Sequence, residues 1–246
     1  MRKERLDKLL IEKGMVQSRE RARALIMAGR IAVEGRTVDK PGMRIEMEAQ
    51  LELRGDDQPY VSRGGIKLEG ALDAFRIDPK GFVVMDVGAS TGGFTDCVLQ
   101  RGAKKVYAVD VGYGQLAWKL QTDSRVVSLE RRNVRYLKRE EVKEEMDLIL
   151  IDTSFISIEK FLPNLLRFLR EGGSIIGLIK PQFEVGRGEV GKGGVVRDGI
   201  LHQKVIDRIS EFSRGLGLSV LGVIESPILG PKGNREFFIY LKREKA

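Results

Sequence analysis

The sequence contains a single cysteine and a single histidine among its 246 residues. One thiol, Cys97, cannot form an internal disulfide, which favours a reducing compartment such as the cytoplasm. With so few cysteine and histidine ligands, we expect no zinc site and no other metal centre. No apolar run approaches the roughly 20 residues needed to span a bilayer. The charged start, MRKERLDKLL, has no apolar core like that of a secretory signal. We therefore expect a cytoplasmic protein with no membrane partner.

Positive charge is concentrated near the N-terminus. The chain has 43 Lys and Arg against 35 Asp and Glu, a net charge of +8. Residues 1–45 contain 12 of the basic and 6 of the acidic residues, so they carry +6 of that charge. A small, strongly basic unit is typical of a module that binds a polyanion. On charge alone, a solvated face without a partner is an alternative.

Residues 1–53 have the pattern of a small α+β domain. Three leucines share one face of a first helix, and Ser18 can cap a second helix with its own apolar face. A strand, a turn and a strand are predicted between residues 31 and 38, and residues 51–53 close the unit.

This stretch resembles the S4 RNA-binding domain found in ribosomal protein S4 and in pseudouridine synthases. That family uses its second helix and the following turn on structured RNA. The resemblance implies RNA contacts, mostly to phosphates and helical shape, for Arg19, Arg21, Arg23, Arg30 and Arg36.

A polar, turn-rich linker is predicted at residues 54–62, and a larger domain at residues 63–246. In the larger domain, apolar strands alternate with helical patterns. The predicted strands are 83–87, 106–111, 126–129, 147–151, 174–179, 218–224 and 237–241. The predicted helices lie near 66–75, 92–101, 113–120, 158–170 and 199–215. This alternation indicates a Rossmann-like α/β domain whose mostly parallel, seven-stranded sheet is covered on both faces, with the last strand antiparallel.

A glycine-rich turn follows the first predicted strand of this sheet. Gly88, Gly92 and Gly93 have the spacing G-x-x-x-G-G, and Asp110 ends the second strand 24 residues after Asp86. In such a fold, ligands bind at the carboxyl ends of the strands, and an acidic residue in the position of Asp110 can accept hydrogen bonds from ribose hydroxyls. The pattern indicates a nucleoside cofactor, with a purely structural turn as the alternative.

A second glycine-rich segment, residues 186–192, matches the first seven positions of a phosphate-binding P-loop. Gly193 stands where the P-loop requires Ser or Thr, and no helix is expected to start at Lys192. We interpret the segment as a loop beside the site rather than as a nucleotide-binding motif.

Four ionisable residues are predicted to lie close to the ligand-binding edge of the sheet. Asp152 and Lys180 each follow an apolar strand, Glu236 precedes the last strand, and Lys67 begins the helix that leads into the sheet. Each alone could be a solvated charge, but all four together with the glycine turn indicate a catalytic site.

From about residue 60 to residue 244 the chain resembles the FtsJ-type (RrmJ-like) ribose 2′-O-methyltransferases, which use a Lys-Asp-Lys-Glu tetrad. The tetrad corresponds to Lys67, Asp152, Lys180 and Glu236 without substitution. The resemblance implies S-adenosyl-L-methionine as methyl donor, bound by Asp86, Gly88, Ser90, Gly92, Phe94, Asp110 and Asn133. An S4 domain joined to such a domain is similar to the TlyA family, also called hemolysin A. Its members methylate cytidine 2′-hydroxyls of ribosomal RNA, which implies 16S RNA, 23S RNA or both as substrate, and ribosomal RNA or ribosomal subunits as partners.

The residue types suit this chemistry, because a ribose hydroxyl must lose its proton as it attacks the methyl group. Lys180 is the expected base. A free lysine titrates near ~10.4, so a lysine base needs neighbours that favour its neutral form. The ammonium of Lys67 and partial burial would do so, whereas Asp152 and Glu236, which orient the two amino groups, act on the pKa in the opposite direction. Phe155 and Phe183 are candidates for stacking on the target base, with packing as the alternative.

Three other interpretations stay open at this stage. The protein could be a non-catalytic ribosome-assembly factor, a methyltransferase with a transfer or messenger RNA target, or a membrane-active hemolysin. The intact tetrad is evidence against the first, and the lack of a spanning segment is evidence against the last. A monomer is the simplest expectation for an enzyme with a ribosome-sized substrate.

Overall fold

The computed structural model describes residues 3–16, 18–27, 29–54 and 59–244. Contacts between residues divide the chain after Asp57 into two compact units. The central residues of the predicted linker, 55–58, lie outside the described residues, so the domain boundaries at 53 and 63 stay a prediction.

The first unit combines two short helices with two small antiparallel sheets. Its elements are β1 Lys3–Arg5, α1 Leu6–Glu12, α2 Arg19–Met27, β2 Ile31–Val33, β3 Arg36–Val38, β4 Arg44–Glu46 and β5 Leu51–Leu53. Strand β1 pairs with β4, and β2 lies between β3 and β5. The apolar faces of α1 and α2 form one buried cluster, as their spacing predicts. Ser18 Oγ accepts a hydrogen bond from Arg21 N at 3.1 Å, which confirms the expected cap of α2.

A buried acid holds the basic residues at one end of this unit. The Asp7 side chain has no exposed surface, and its Oδ2 is 3.0 Å from both Arg5 Nη2 and Arg19 Nε. The hydrogen bonds from Arg5, which contribute most, lower the pKa of Asp7 to about 2, and those from Arg19 act in the same direction. Asp7 therefore fixes Arg19, at the start of α2, against α1.

We expect Asp7→Asn to destabilise the first unit by about 1 to 3 kcal/mol at neutral pH, because a hydrogen-bonded charge is lost. A carboxyl whose folded-state pKa is depressed stabilises the fold above its ordinary pKa, and that contribution disappears as pH falls through the folded value. The difference between the two proteins should therefore vanish as pH falls from about 4 towards 2. Hydrogen exchange of the α1 and α2 amides measures this difference in stability. Equal protection of both proteins at neutral pH would contradict this role of Asp7.

The second unit contains a seven-stranded sheet with helices on both faces. Its helices are α3 Gly64–Ala74, α4 Gly93–Gln100, α5 Trp118–Gln121, α6 Leu162–Leu165, α7 Pro181–Glu184 and α8 Gly199–Gly215. Its strands are β6 Val83–Val87, β7 Lys105–Val109, β8 Val126–Leu129, β9 Met146–Ile151, β10 Leu169–Ile179, β11 Leu218–Glu225 and β12 Phe237–Arg243. The strand order is β11-β12-β10-β9-β6-β7-β8. Strand β12 is antiparallel to both neighbours and the other pairs are parallel, as expected.

Alternate side chains of the central strands enter two different cores. In β9, Leu148 and Leu150 pack in one buried cluster, and Ile149 and Ile151 pack in the other. All four are fully buried, which explains why the strand is a continuous apolar run rather than an alternating one.

Two predicted helices are shorter in the structure. The helix expected at 158–170 is a single turn at Ile158–Lys160 followed by the four-residue α6, and the chain enters β10 at Leu169. Pro163 lies in the first turn of α6, and its apolar neighbours pack into the core as turns rather than as one long helix. The helix expected at 113–120 is reduced to α5, because Gly114 has a φ of +66° and Ala117 is extended.

Within the described ranges, the helices lack the combination of length and apolar character that crossing a membrane would require.

Candidate functional site

The register of the sheet places the predicted catalytic residues next to one another. Val87 of β6 pairs with Ile151 of β9, so Asp152 follows directly beside the glycine turn. Ile179 of β10 pairs with Phe237 of the antiparallel β12, so the adjoining Lys180 and Glu236 lie on neighbouring strands at the same edge. This edge is where ligands bind in open α/β sheets.

A cavity of about 440 Å³ opens at this edge. It is lined by residues that five segments of the chain contribute. They are Ser62, Arg63, Gly64, Lys67, Asp86, Gly88, Ala89, Ser90, Thr91, Gly93, Phe94, Asp152, Ser154, Lys180, Leu229, Gly230 and Pro231. Three members of the predicted tetrad and most of the predicted cofactor residues therefore face one space.

The four tetrad residues form two ion pairs. Lys180 Nζ is 2.6 Å from Asp152 Oδ1, and Lys67 Nζ is 2.6 Å from Glu236 Oε2. Lys67 is 8% exposed, Lys180 9% and Glu236 1%, so these charges are largely removed from water. Charges buried to this extent are stable only when they are paired. The structure thus brings the four residues together as two neutralised pairs beside the cavity.

Two polar residues that were not predicted from the sequence each contact one member of these ion pairs. Lys180 Nζ donates a hydrogen bond to Ser154 Oγ at 3.0 Å. Gln182 Nε2 lies 3.5 Å from the second oxygen of Glu236. Both follow a tetrad residue by two positions, in IDTS and in KPQ, and this proximity was the only signal available in the sequence.

The glycine turn is packed tightly against Asp152, one of the predicted catalytic residues, and against the segment before α3. Gly88 has a φ of +85°, and a Cβ there would lie 2.6 Å from the carbonyl oxygen of Asp152. A Cβ on Gly93 would lie 2.2 Å from Ser62 Oγ, in the segment that leads into α3. Glycine is therefore required both by the turn and by the approach of these two neighbouring segments.

Asp86 lies at the floor of the cavity and has no exposed surface. Its Oδ2 accepts hydrogen bonds from Thr95 N at 2.9 Å and Thr95 Oγ1 at 2.7 Å. Its Oδ1 is buried and has no hydrogen-bond partner among the residues that the structure describes. Burial raises the pKa of Asp86 to about 7, and the charge of Asp152 contributes in the same direction. A buried carboxylate oxygen without a partner suits a positively charged ligand group.

The other predicted cofactor residues lie along the same edge. Asp110 accepts hydrogen bonds from Ser90 N at 2.8 Å and from Gly112 N at 2.7 Å, so its carboxylate ties the glycine turn to the end of β7. Asp110 also lines a small adjoining cavity, which includes Ser128 and Glu130 but not Asn133. Asn133 is half-buried, and its Oδ1 accepts a hydrogen bond from Arg135 N at 3.1 Å.

The loop before β12 closes the opposite side of the cavity. Leu229, Gly230 and Pro231 line it, and Arg63 Nη2 donates to Leu229 O at 3.1 Å. A Cβ on Gly230 would lie 2.1 Å from Glu236 Oε1, so the backbone there packs directly on the carboxylate. The sequence GPKGN signals a turn, but its contact with Glu236 depends on the fold.

Phe155 and Phe183 form an aromatic pair beside the Lys180–Asp152 ion pair, with ring centroids 4.7 Å apart. Phe155 is 88% exposed and has a φ of +66°, a strained conformation for a non-glycine residue. The structure thus presents the Phe155 ring to solvent instead of burying it.

The five predicted RNA-binding arginines lie in the first unit, in different environments. Arg19 is paired with Asp7, Arg30 donates to the carbonyl of Arg54, and Arg21 lies in the first turn of α2. Arg23 and Arg36 are exposed.

The P-loop-like segment does not form a P-loop. A single turn spans Arg187–Glu189, Gly191 bridges to Val195, and the next helix, α8, begins only at Gly199. Among the described residues, no group of three or more His, Cys, Asp or Glu side chains could hold a metal ion.

Comparison with known proteins gives two family matches. The model of the "FtsJ-like methyltransferase" family matches residues 60–243, and the "S4 domain" model matches residues 4–51.

Curated relatives match nearly the whole chain. The chain is 48% identical to "Putative rRNA methyltransferase YqxC" of Bacillus subtilis, over 98% of this chain and 86% of that protein. It is 44% identical to "16S/23S rRNA (cytidine-2'-O)-methyltransferase TlyA" of Mycobacterium tuberculosis, over 99% of this chain and 91% of that protein. A solved structure, "Putative hemolysin from Streptococcus thermophilus", is 44% identical with a TM-score of 0.77, covering 100% of this chain and 90% of the other.

The contributions of Lys67 and Glu236 to stability should depend on each other, because the two side chains form a buried ion pair. We expect Lys67→Met or Glu236→Gln alone to lower the free energy of unfolding by about 3 kcal/mol, because each leaves a buried charge unpaired. The double variant should lose less than the sum by at least about 1 kcal/mol. Urea unfolding followed by circular dichroism measures all three. Strictly additive losses would show that the two side chains do not depend on each other.

Proposed function

The chain belongs to the FtsJ-like methyltransferase family, and we propose that it methylates ribose 2′-hydroxyls of cytidines in ribosomal RNA, with S-adenosylmethionine as methyl donor. The observation that carries this proposal is the convergence of the Lys180–Asp152 and Lys67–Glu236 pairs on the cavity that the glycine turn also lines. The Mycobacterium tuberculosis relative, named for cytidine 2′-O-methylation of 16S and 23S ribosomal RNA, supports the choice of substrate.

The site has the features that the methyl donor requires. S-adenosylmethionine supplies an electrophilic methyl group on a positively charged sulfur. The unpartnered Oδ1 of Asp86 is suited to the ammonium group of its methionine part. The cavity volume lies within the range of roughly 300 to 1,000 Å³ typical of ligand pockets. The residues that would hold the donor are Asp86, Gly88, Ser90, Gly92, Phe94, Asp110 and Asn133.

Lys180 is placed to take the proton of the target hydroxyl. Its Nζ already contacts Asp152 Oδ1 and Ser154 Oγ. A neutral amine has two N–H groups and one lone pair. If Asp152 Oδ1 and Ser154 Oγ accept the two N–H groups, the lone pair of Lys180 Nζ remains free. That lone pair can then take the proton of the attacking hydroxyl.

Lys67 has the complementary role. Glu236 holds its ammonium group in the lining of the same cavity, where a fixed positive charge can bind the oxygen that becomes negative as the proton leaves. Methyl transfer then depends chiefly on the alignment of donor and acceptor, which the rigid edge of the sheet provides.

The S4 domain supplies the second part of the proposal, which is binding of the ribosomal substrate. Arg19, Arg21, Arg23, Arg30 and Arg36 would contact RNA phosphates. Asp7 occupies only the Nε edge of Arg19, so the terminal nitrogens of that guanidinium can still reach a phosphate. Near the active site, the exposed ring of Phe155 would stack on a base turned out of its helix.

We expect Lys180→Ala to lower the single-turnover rate of methyl transfer at least about 100-fold, because general-base catalysis contributes roughly 10² to 10⁴. Cofactor affinity should change less than about threefold. The assay is tritium transfer from S-adenosylmethionine to unmodified ribosomal subunits, with calorimetry for cofactor binding.

Lys143→Ala is the matched control, since Lys143 is an exposed lysine before β9, at the far edge of the sheet. It should methylate like the unmodified protein. Full activity of Lys180→Ala would remove Lys180 from the role of base. Cofactor binding without methylation of either subunit by the unmodified protein would favour another RNA target or a non-catalytic assembly factor.

The pKa of Asp86, raised by burial to about 7, predicts a pH dependence of cofactor binding. Because only the ionised carboxylate attracts the donor's positive charge, affinity should rise about five- to tenfold between roughly pH 6 and 7.5. Asp86→Asn should bind more weakly and show no such rise. Calorimetric titration at a series of pH values tests this. A rise of the same size in the variant would assign the titration to another group.

A further inference from the structure

The strand register alone does not fix the segment that follows Asp152. The last residue pair of β9 and β10 is Ile151 with Gly177, and beyond it Asp152 N is held by Val87 O at 2.9 Å. From Thr153 to Ser157, within this described part of the chain, no backbone N–H group donates to a backbone carbonyl. The segment nevertheless carries Ser154, which contacts Lys180, and the strained Phe155.

The first hydrogen bond from a backbone N–H after this segment goes to a buried carboxylate. Ile158 N donates to Glu184 Oε1 at 3.0 Å. Glu184 ends α7, the short helix that Lys180 precedes, and its side chain is only 2% exposed. The same side chain thus connects the segment after Asp152 to the segment after Lys180.

Arg208, in helix α8, contacts both Glu184 and the turn that Ile158 begins. From α8, its Nη2 is 2.9 Å from Glu184 Oε2 and donates to the carbonyl of Glu184 at 3.1 Å. Its Nε is 3.2 Å from Glu159 Oε1, in the turn that Ile158 begins. Burial raises the pKa of Glu184, so removing this carboxylate from water is unfavourable, and the hydrogen bonds from Ile158 and Arg208 compensate for it.

We propose that Glu184, held by Arg208, is a positioning residue that sets the distance between Lys180 and the Asp152–Ser154 segment. This inference rests on the proposed role of Lys180 as base. Glu184 does not line the cavity, and it acts by keeping both acceptors of Lys180 Nζ at hydrogen-bonding distance. A displacement of that segment by about 1 Å would break the alignment on which the transfer rate depends.

Two variants at Glu184 separate its possible roles. Glu184→Ala removes both bonds, and we expect the single-turnover rate of methyl transfer to fall about 10- to 100-fold. The dissociation constant of S-adenosylmethionine should stay within about twofold, because its proposed residues lie at the end of β6, in the turn and helix α4 that follow it, and after β7 and β8. Glu184→Gln keeps an oxygen that can accept from Ile158 N, so it should recover most of the rate.

Asp147 provides a matched control at the opposite edge of the sheet. Like Glu184, Asp147 accepts a hydrogen bond from a backbone N–H group, that of Val83, at 2.7 Å. Like Glu184, it also forms an ion pair with an arginine, and Arg170 Nε is 2.7 Å from its Oδ1. Asp147→Ala should lower the unfolding temperature without changing the transfer rate at temperatures where it is folded. A rate loss in Asp147→Ala as large as that in Glu184→Ala would reduce Glu184 to a general structural role.

If Glu184→Ala does not fold, Ile158→Pro tests the same bond from its other end. It removes the donor N–H at the start of a turn, where Ser157 is already extended with φ −68° and ψ 140°. An unchanged rate in either folded variant, with Lys180→Ala inactive, would overturn the role of Glu184 alone. An unmodified protein that transfers no methyl group to RNA would instead contradict the proposed function.

Discussion

The site depends on one constraint, the register of four neighbouring strands that are buried on both faces. Because alternate residues of β9 enter different cores, a shift by one residue would exchange the buried faces of the strand. The fixed register of β6, β9, β10 and β12 is what places the glycine turn, Asp152, Lys180 and Glu236 side by side. The antiparallel direction of β12 matters here, since it brings a residue that precedes a strand to the edge where the other strands end.

The buried charged groups at this edge of the sheet differ in whether they have a partner. Lys67, Lys180 and Glu236 are removed from water in ion pairs, whereas the buried Oδ1 of Asp86 has no hydrogen-bond partner among the described residues. The cavity is therefore lined both by a carboxylate with an unpartnered oxygen and by two amino groups that acids hold in place. This arrangement suits a cationic methyl donor together with a hydroxyl substrate. The buried Glu184 is likewise compensated, because its carboxylate binds Ile158 N and Arg208, and it connects the segments that follow Asp152 and Lys180.

Much of this site could be predicted from the sequence, because strand ends and glycine turns are marked by local patterns. Asp152 and Lys180 follow unbroken apolar runs, and a parallel sheet brings such positions together. The expected helix at 158–170 was wrong, because apolar residues at helical spacing can equally fill a core from a turn and a strand. The partners of Glu184 and Asp7 were not predictable, because each depends on contacts between segments distant in the chain, and both acids resemble surface charges in the sequence.

Identification of the reaction product distinguishes ribose methylation of ribosomal RNA from the other possible activities. Unmodified ribosomal subunits would be incubated with the protein and isotope-labelled S-adenosylmethionine, and their RNA digested to nucleosides for mass spectrometry. We expect labelled 2′-O-methylcytidine, with the label on the sugar fragment, and its loss when Lys180 is replaced by alanine. Label on a base fragment, or labelled ribose that persists in the Lys180→Ala protein, would contradict it.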